Sequence, residues 1–227
     1  MLKLHLDTDL GGDIDDLCAL AMVLNWPDGE LQAVTTVADD QGRRAGYARY
    51  ALGLAGRADI PVAAGADVAL ECYRSRPGLP DEAVYWPQPI PPAPTSLDHA
   101  LAMLERSIEQ GAIIAAIGPY TNLALLEQRS PGILRTARLY LMGGYVFPPR
   151  EGFPPWDNTM DYNVQVDVRS AHYVIQCSSY TSIPTSAAIS TISVHWRWCS
   201  IGQTSTCSPS PQSQTTTGGG QVMHATP

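Results

Sequence analysis

Strand-like and helix-like segments alternate along the first 175 residues, and this alternation limits the fold more than any other feature of the sequence. Short apolar or β-branched runs predict the strands, and apolar residues at helical spacing predict the helices. The predicted strands are 2–6, 31–37, 60–65, 112–118 and 137–144, and the predicted helices are 15–24, 42–55, 96–110 and 122–128. The sequence therefore predicts an α/β fold: a mostly parallel, open, Rossmann-like sheet with helices on both faces. Such sheets bind ligands beyond the carboxyl ends of their strands.

The composition of the chain changes after Gln176. All 22 acidic residues lie at or before Asp167, whereas residues 178–227 contain 20 Ser or Thr among 50 residues and a single Arg. We therefore predict an α/β domain over residues 1–176 and a Ser/Thr-rich, low-complexity tail over 177–227 that is disordered. A shifted reading frame and a natural disordered tail both fit this change.

Charge and cysteine content exclude several classes of function. The net charge of −8 argues against a surface for nucleic acid or for an anionic membrane, because both need basic patches. The N-terminus becomes acidic too soon for a signal peptide, and no run reaches the roughly 20 apolar residues of a membrane span. Five cysteines without a CxxC pair argue against a disulfide framework or a zinc site, and predict a reducing, cytoplasmic environment.

Five aspartates crowd into ten positions between the first predicted strand and the first predicted helix: Asp7, Asp9, Asp13, Asp15 and Asp16. A helix N-terminus offsets only about 0.3–1 kcal/mol of repulsion per carboxylate. The cluster therefore predicts a divalent cation, and carboxylate oxygens suit calcium or magnesium.

Three other interpretations of the aspartates are weaker. An EF-hand loop counted from Asp7 would need a Glu where Cys18 stands. A DxDxT phosphatase would use Asp7 as nucleophile and Asp9 as acid, but would need a Thr at the position of Gly11. A solvated loop that caps the helix explains one or two aspartates, but not five. The phosphatase and the capping loop remain open as alternatives.

The segment DTDLGGDIDD resembles the N-terminal fingerprint of the inosine/uridine-preferring nucleoside hydrolases, in a variant with two extra residues before the final Asp pair. Five further segments resemble motifs of the same family in the same order: VTTVADD (34–40), IPVAAGAD (60–67), AIGPYTNLALL (116–126), LMGGYV (141–146) and DYNVQVDVRSA (161–171). The resemblance implies hydrolysis of the N-glycosidic bond of a small-molecule ribonucleoside to ribose and free base. It also implies a homodimer or homotetramer, without deciding between them.

The resemblance implies a calcium cofactor (Ca2+) and assigns roles around it. Asp9 and Asp16 would be side-chain ligands, Thr121 would contribute its backbone carbonyl, and Asp15 would be the general base that takes a proton from calcium-bound water. Asp13 would tune the site or bind a ribose hydroxyl. We expect Asp7 to support the loop by accepting hydrogen bonds from its backbone amides.

Besides Asp13, five residues are assigned to the substrate by the same resemblance. Asn163 matches the asparagine of an E-[FY]-N element, and Asp161 matches its acidic residue with one methylene fewer. Asn158 would take the role of an asparagine found a few residues upstream. Asp40 replaces an asparagine common after the second strand. Met142 matches a pocket methionine, although a core methionine fits its position equally well.

Two departures from the family limit what the resemblance implies. The family's last third supplies another aspartate ligand and often an adjacent histidine, but no aspartate follows Asp167, and neither His195 nor His224 adjoins one. The alternative function is therefore an inactive family remnant that binds a riboside or metal at most. The proline-rich stretch 74–95, with Tyr85 and Trp86, is either a base-recognition loop or a surface loop packed on these aromatics.

Overall fold

Strands and helices alternate along the protein as its sequence predicts. The computed structural model describes residues 1–71, 82–144, 152, 157, 159 and 161–178, all of which belong to one compact unit. The strands are β1 (Leu2–Thr8), β2 (Gly29–Thr36), β3 (Val62–Ala64), β4 (Ile113–Ala116) and β5 (Arg138–Leu141). The helices are α1 (Ile14–Leu24), α2 (Arg43–Leu54), α3 (Leu97–Glu109), α4 (Thr121–Arg129), α5 (Ile133–Thr136), α6 (Tyr162–Val166) and α7 (Val168–Ser178), with 3-10 turns at Asp40–Gly42 and Glu82–Tyr85.

The five described strands form one parallel sheet in the order β3-β2-β1-β4-β5. The chain moves outward from β1 to β3 and then returns through α3 to β4, on the other side of β1. The direction of the strand order therefore reverses between β1 and β4. In open α/β sheets this switch point opens a crevice at the carboxyl ends of the strands.

Helices cover both faces of the sheet, which confirms the predicted fold class. On one face, α1 and α2 pack against Leu6 and Val34 in a first apolar core. On the other face, α3, α4, α5 and α7 pack against Ile114 and Ala116 in a second core. The alternation of β1 places Leu4 and Leu6 on the first face and His5 and Asp7 on the second.

The described part of the proline-rich stretch lies on α2. The amide of Ala93 donates to the carbonyl of Gly42 over 2.8 Å, and a Cβ on Gly46 would lie only 2.4 Å from the carbonyl oxygen of Pro91. The ring of Trp86 stacks on Tyr47 with centroids 4.5 Å apart and planes 10° from parallel. These contacts fix residues 86–95, whereas residues 74–81 of the predicted loop lie outside the described residues.

Three helices were not predicted. The short α5 follows a left-handed Gly132, and α6 begins where Asp161 caps it by accepting a hydrogen bond from the amide of Val164 over 3.2 Å. The last helix, α7, ends at Ser178, just past the predicted domain boundary after residue 176. The predicted tail beyond it lies outside the described residues, so that boundary stays a prediction. In the described part of the chain, no helix is long and apolar enough to cross a membrane.

Candidate functional site

The aspartates lie at the switch point, beside the loop that follows β4. We call residues 9–13, between β1 and α1, the acidic loop. Gly118 follows β4 and approaches this loop so closely that a Cβ on it would lie 2.8 Å from the backbone nitrogen of Asp9. The two loops that border the crevice are therefore in direct contact, and glycine is required at that contact.

Asp16 is the buried carboxylate of α1. The hydroxyl of Thr8 donates to Asp16 Oδ1 over 2.6 Å and accepts from the amide of Leu10 over 3.1 Å. Burial, and after it the negative charges of the neighbouring aspartates, raise the pKa of Asp16 to about 7. The last residue of β1 thus fixes both the turn of the acidic loop and the carboxylate of α1.

The carboxylates of Asp13, Asp15 and Asp16 come together at the start of α1. One oxygen from each lies within 4.8 Å of the others. Asp13 and Asp15 are exposed, and Asp13 occupies the N-cap position without a side-chain capping hydrogen bond. Capping therefore does not explain Asp13. Asp15 lies within the first turn, where its carboxylate adds to the same negative group.

Asp9 lies behind this group and is not one of its three members. Its side chain is buried, and its negative charge helps to raise the pKa of Asp7 as well as that of Asp16. Asp9 is therefore close enough to both Asp7 and Asp16 for its charge to act on each of them.

The hydrogen-bond donors to Asp7 differ from those predicted. Instead of backbone amides, the Thr35 hydroxyl donates to Asp7 Oδ1 over 2.5 Å, and the Asn122 amide nitrogen donates to the same oxygen over 2.7 Å. The second oxygen, Oδ2, is buried and has no hydrogen-bond partner among the described residues. Burial raises the pKa of Asp7 to about 7. The predicted amide contacts are therefore wrong, because Asp7 points toward β2 and α4 instead of into the loop.

Thr121 begins α4 and is fully buried. Its hydroxyl donates to Asp167 Oδ2 over 2.7 Å, so its side chain supports the fold. Its neighbour Asn122 donates to Asp7, which places the start of α4 beside the end of β1. The ligand role of its carbonyl stays a prediction.

The residues assigned to the substrate make structural contacts at the ends of β4 and β5. The amide nitrogen of Asn163 donates to the carbonyls of Ile117 and Met142, over 2.6 and 2.9 Å. Both of its protons are therefore used, which leaves its oxygen for any ligand. The carboxylate of Asp161 accepts from two backbone amides, those of Val164 and Gly144.

The structure bears differently on the three other residues assigned to the substrate, Met142, Asp40 and Asn158. The side chain of Met142 is 50% exposed, so the core interpretation of this residue is wrong. Asp40 is exposed. The burial of Asp67 is the main cause that raises the pKa of Asp67, and the negative charge of Asp40 raises it as well. Asn158 lies outside the described residues. The substrate roles of all three stay predictions.

Sequence reasoning missed the buried residues that support the aspartates, namely His5, Thr35 and Asn122. Strand alternation offered a signal, because residues 5 and 7 of one strand lie on the same face. Nothing in the sequence indicated that Ser107 of α3 and Thr35 of β2 would meet His5 there.

The sequence matches the family model described as inosine-uridine preferring nucleoside hydrolase over residues 4–218. The chain belongs to this family. Among its relatives, the pyrimidine-specific ribonucleoside hydrolase RihA of Enterobacter sp. (strain 638) is 33% identical over 185 residues, which cover 77% of this chain and 56% of RihA. This nucleoside hydrolase chain therefore spans little more than half the length of the curated relative.

Solved structures of nucleoside hydrolases share the fold. The plant nucleoside hydrolase PpNRh1 superimposes with a TM-score of 0.62 at 23% identity, covering 78% of this chain and 57% of that chain. The purine-preferring ribonucleoside hydrolase from Gardnerella vaginalis gives 0.60 at 22% identity, covering 77% and 58%. At these identities the likeness establishes the nucleoside hydrolase fold, and the predicted family resemblance is confirmed.

Proposed function

We propose that this protein hydrolyses the N-glycosidic bond of ribonucleosides and that it uses a calcium ion bound at the acidic loop. The observation that carries this proposal is the group of three carboxylates, Asp13, Asp15 and Asp16, at the switch point of the sheet. Membership of a hydrolase family supplies the reaction class.

The donor set fits a calcium ion. Two carboxylates within 4.8 Å repel each other by about 1 kcal/mol in water and by about 3 kcal/mol at an effective dielectric constant of 20. The helix N-terminus offsets only about 0.3–1 kcal/mol per carboxylate, and a bound cation would balance the repulsion that remains among three or four such charges. Only oxygen donors are offered, as calcium prefers. Asp9 and Asp16 would hold the ion with the Thr121 carbonyl, and Asp13 would add charge to the same space.

Different residues of the candidate site would carry out different parts of the hydrolysis. A bound calcium ion would supply Lewis acidity toward a water molecule and a fixed charge for the ribose diol. Asp15 is exposed at the crevice, where it can accept the proton of the attacking water. Asp161 and Asn163 lie beside the ends of β4 and β5, where Asn163 Oδ1 would contact the ribose. Asp40 and Met142 are exposed and would border the base or the sugar.

The nucleoside that is preferred follows from neither the fold nor the described site. The curated relative is named as pyrimidine-specific and one structural neighbour as purine-preferring, so both classes of substrate belong in the test. An inactive chain that binds only a riboside or metal is the alternative, since residues 168–227 contain no aspartate and neither His195 nor His224 adjoins one.

The experiment is ribose release by the full chain from inosine, uridine and p-nitrophenyl riboside, with calcium and with a calcium chelator. We expect release that the chelator abolishes and that Asp15→Asn lowers by about 10²–10⁴-fold, the usual contribution of a general base. Asp59→Asn is the matched control, because Asp59 is an exposed carboxylate paired with Arg57 over 3.1 Å. It should leave the rate unchanged.

The other outcomes identify the alternatives. Calcium binding without ribose release would support the inactive remnant. Phosphate release from a phosphomonoester that depends on Asp7 would support the phosphatase. Ribose release that neither the chelator nor Asp15→Asn reduces would overturn the proposed mechanism.

A further inference from the structure

A chain of buried polar side chains leads from α3 to the end of β1. His5 Nδ1 lies 2.8 Å from Ser107 Oγ, and His5 Nε2 lies 3.0 Å from Thr35 Oγ1. Thr35 in turn donates to Asp7 Oδ1 over 2.5 Å. We call Ser107, His5, Thr35 and Asp7 the buried relay. All four side chains are at most 5% exposed, so water does not replace these contacts.

The hydrogen-bond network assigns the direction of every bond in the relay. The single proton of the Thr35 hydroxyl goes to Asp7, so the bond between Thr35 and His5 needs a proton on His5 Nε2. His5 Nδ1 then accepts from the Ser107 hydroxyl. Burial lowers the pKa of His5 to about 3, so the ring is neutral and has this one tautomer. Each donor in the relay therefore has one acceptor, and the hydrogen bond from Thr35 fixes the position of the Asp7 carboxylate.

Asp7 transmits this position to α4. Its Oδ1 also accepts from Asn122 Nδ2 over 2.7 Å. The remaining groups of the Asn122 amide bind the carbonyl of Thr36 and the amide of Ala66, both over 2.8 Å. The side chain next to Thr121 is thus fully bonded, and Asp7 is its only carboxylate partner among the described residues.

The next residue of β1, Thr8, contacts the other side of the candidate site. Thr8 points to the first face of the sheet, where it donates to Asp16 of α1. Because Asp7 and Thr8 are adjacent in one strand, the two sides of the crevice are both positioned from the end of β1. A displaced Asp7 would change the separation between the start of α4 and the acidic loop.

Stability alone does not account for the relay. Apolar residues of similar volume often replace a buried polar network at little cost, because burying the polar groups offsets much of what their hydrogen bonds contribute. A satisfied polar network does fix one arrangement of the groups that it joins. Here the relay fixes Asp7, which in turn accepts from Asn122 at the start of α4.

We infer that His5 and Thr35 are positioning residues of the candidate site, which act through Asp7 to set where the start of α4 lies relative to the acidic loop. This inference rests on the proposed function in one respect, namely that the two sides together hold a cation. The relay itself is tested on the metal-free protein as well.

The test compares two adjacent threonines of β2 in the full chain. Thr35→Val removes the hydroxyl that holds Asp7, and Thr35→Ser retains it. Thr36→Val is the matched control, because Thr36 donates to a different buried carboxylate, Asp39, over 2.6 Å. His5→Leu removes the donor to Thr35, whereas His5→Gln retains one. These two variants provide a second pair if Thr35→Val does not fold.

The first readout is amide hydrogen exchange without metal. The amide of Ala66 reports on Asn122, and the amides of Arg44 and Ala45 report on Asp39, to which they donate. We expect Thr35→Val to speed exchange at Ala66 by about 10-fold, with Arg44 and Ala45 unchanged. Thr36→Val should show the reverse pattern, and Thr35→Ser and His5→Gln should stay within about twofold of the unsubstituted protein.

The second readout is calcium affinity by calorimetry. Thr35→Val should weaken it by about 10-fold, His5→Leu by about threefold, and Thr36→Val by less than twofold. Equal exchange patterns in Thr35→Val and Thr36→Val, or equal losses of affinity, would overturn the inference, because the relay would then serve stability alone. If the unsubstituted protein binds no calcium, the proposed cation site fails, while the exchange pattern still decides whether the relay positions α4.

Discussion

Two strand-to-helix turns lie side by side at the carboxyl end of the sheet, and both contain a threonine–aspartate hydrogen bond. After β2, the carboxylate of Asp39 accepts from the Thr36 hydroxyl and from the amides of Arg44 and Ala45, at 2.6, 2.8 and 3.0 Å. After β1, Asp16 accepts from Thr8, but three further aspartates crowd around it. The first turn satisfies its carboxylate with three donors, whereas the second brings several carboxylates together.

The difference separates a carboxylate that stabilises the fold from carboxylates that we propose as a cation site. Asp39 caps α2 by accepting from amides of its first turn. Its carboxylate is satisfied by donors of the fold and does not indicate a ligand. Asp7 keeps one buried oxygen that has no hydrogen-bond partner in the described part of the chain, and Asp13 occupies the N-cap position of α1 without a side-chain capping hydrogen bond. An unbalanced group of charges costs stability, so its presence indicates a function that needs the charge.

The largest expected effect concerns pH and the buried Asp7. Its pKa is about 7 in the folded protein, against 3.8 for an ordinary aspartate. Between these values the carboxyl of Asp7 binds fewer protons in the unfolded chain than in the folded protein, so the contribution of Asp7 to the stability of the metal-free protein falls as the pH rises from about 4 to about 7. Asp7→Asn should remove this loss, and its free energy of unfolding relative to the unsubstituted protein should rise by roughly 3–4 kcal/mol over that range.

Urea unfolding of both proteins in a chelator, across that pH range, measures the difference. Taking the difference cancels the opposite contribution of His5, whose lowered pKa removes stability as the pH falls below 6.5. A difference that does not change with pH would show that Asp7 is not a destabilised acid.

The next effect concerns the satisfied turn. Asp39→Ala leaves the amides of Arg44 and Ala45 and the hydroxyl of Thr36 without their acceptor, and should lower the free energy of unfolding by about 3 kcal/mol. Calcium affinity should not change. Denaturant unfolding and calorimetry check both statements, with the exposed Asp59→Ala as a control expected within about 0.5 kcal/mol. Loss of calcium binding in Asp39→Ala, in a folded protein, would erase the distinction between the turns.

A substitution in the turn after β1 should change calcium binding and leave the stability of the metal-free protein intact, the reverse of Asp39→Ala. Calcium at about 100 times its Kd should stabilise the protein by about 2.7 kcal/mol, which raises the melting temperature by roughly 5–10 °C. Asp16→Asn keeps an acceptor for the Thr8 hydroxyl but removes the charge, so it should melt no lower than the unsubstituted protein without metal. It should show no rise with calcium. A full calcium-induced rise in Asp16→Asn would contradict the role of this carboxylate.

The smallest effect concerns Trp86, which connects the proline-rich segment to the acidic loop. Its indole nitrogen donates to the carbonyl of Gly11 over 3.4 Å, while its ring stacks on Tyr47. Trp86→Phe keeps the stacking and removes this long hydrogen bond, so it should cost about 0.5–1 kcal/mol and weaken calcium binding about two- to threefold. Thermal unfolding and calorimetry measure these changes. Tyr85→Phe, at a residue that is 57% exposed, is the control and should change neither.

The sequence predicts the architecture well because strand and helix periodicities are local. The five strands and the first four helices follow from apolar spacing, and the acidic loop from its composition. The partners of Asp7 do not follow, because Thr35 and Asn122 reach it only when β2 and α4 pack beside β1. For the same reason, the Met142 core interpretation failed: local pattern does not say which end of a strand remains uncovered by helices.

Asp161 shows a further limit of sequence reasoning. Its motif assigns it to the ribose, yet its carboxylate accepts from the amides of Val164 and Gly144. A motif identifies a residue without saying how many of its lone pairs the fold already uses. That number depends on backbone groups brought close by the turn after β5.

The most direct test of the central claim is a calcium titration of the metal-free full chain by isothermal calorimetry near pH 7, beside the double variant Asp9→Asn/Asp16→Asn. The account predicts one saturable site per chain with a Kd of about 1 mM or tighter, lost in the double variant and retained in Asp39→Ala. No saturable binding by the unsubstituted chain, or equal binding by the double variant, would contradict the claim that the crowded aspartates are a cation site.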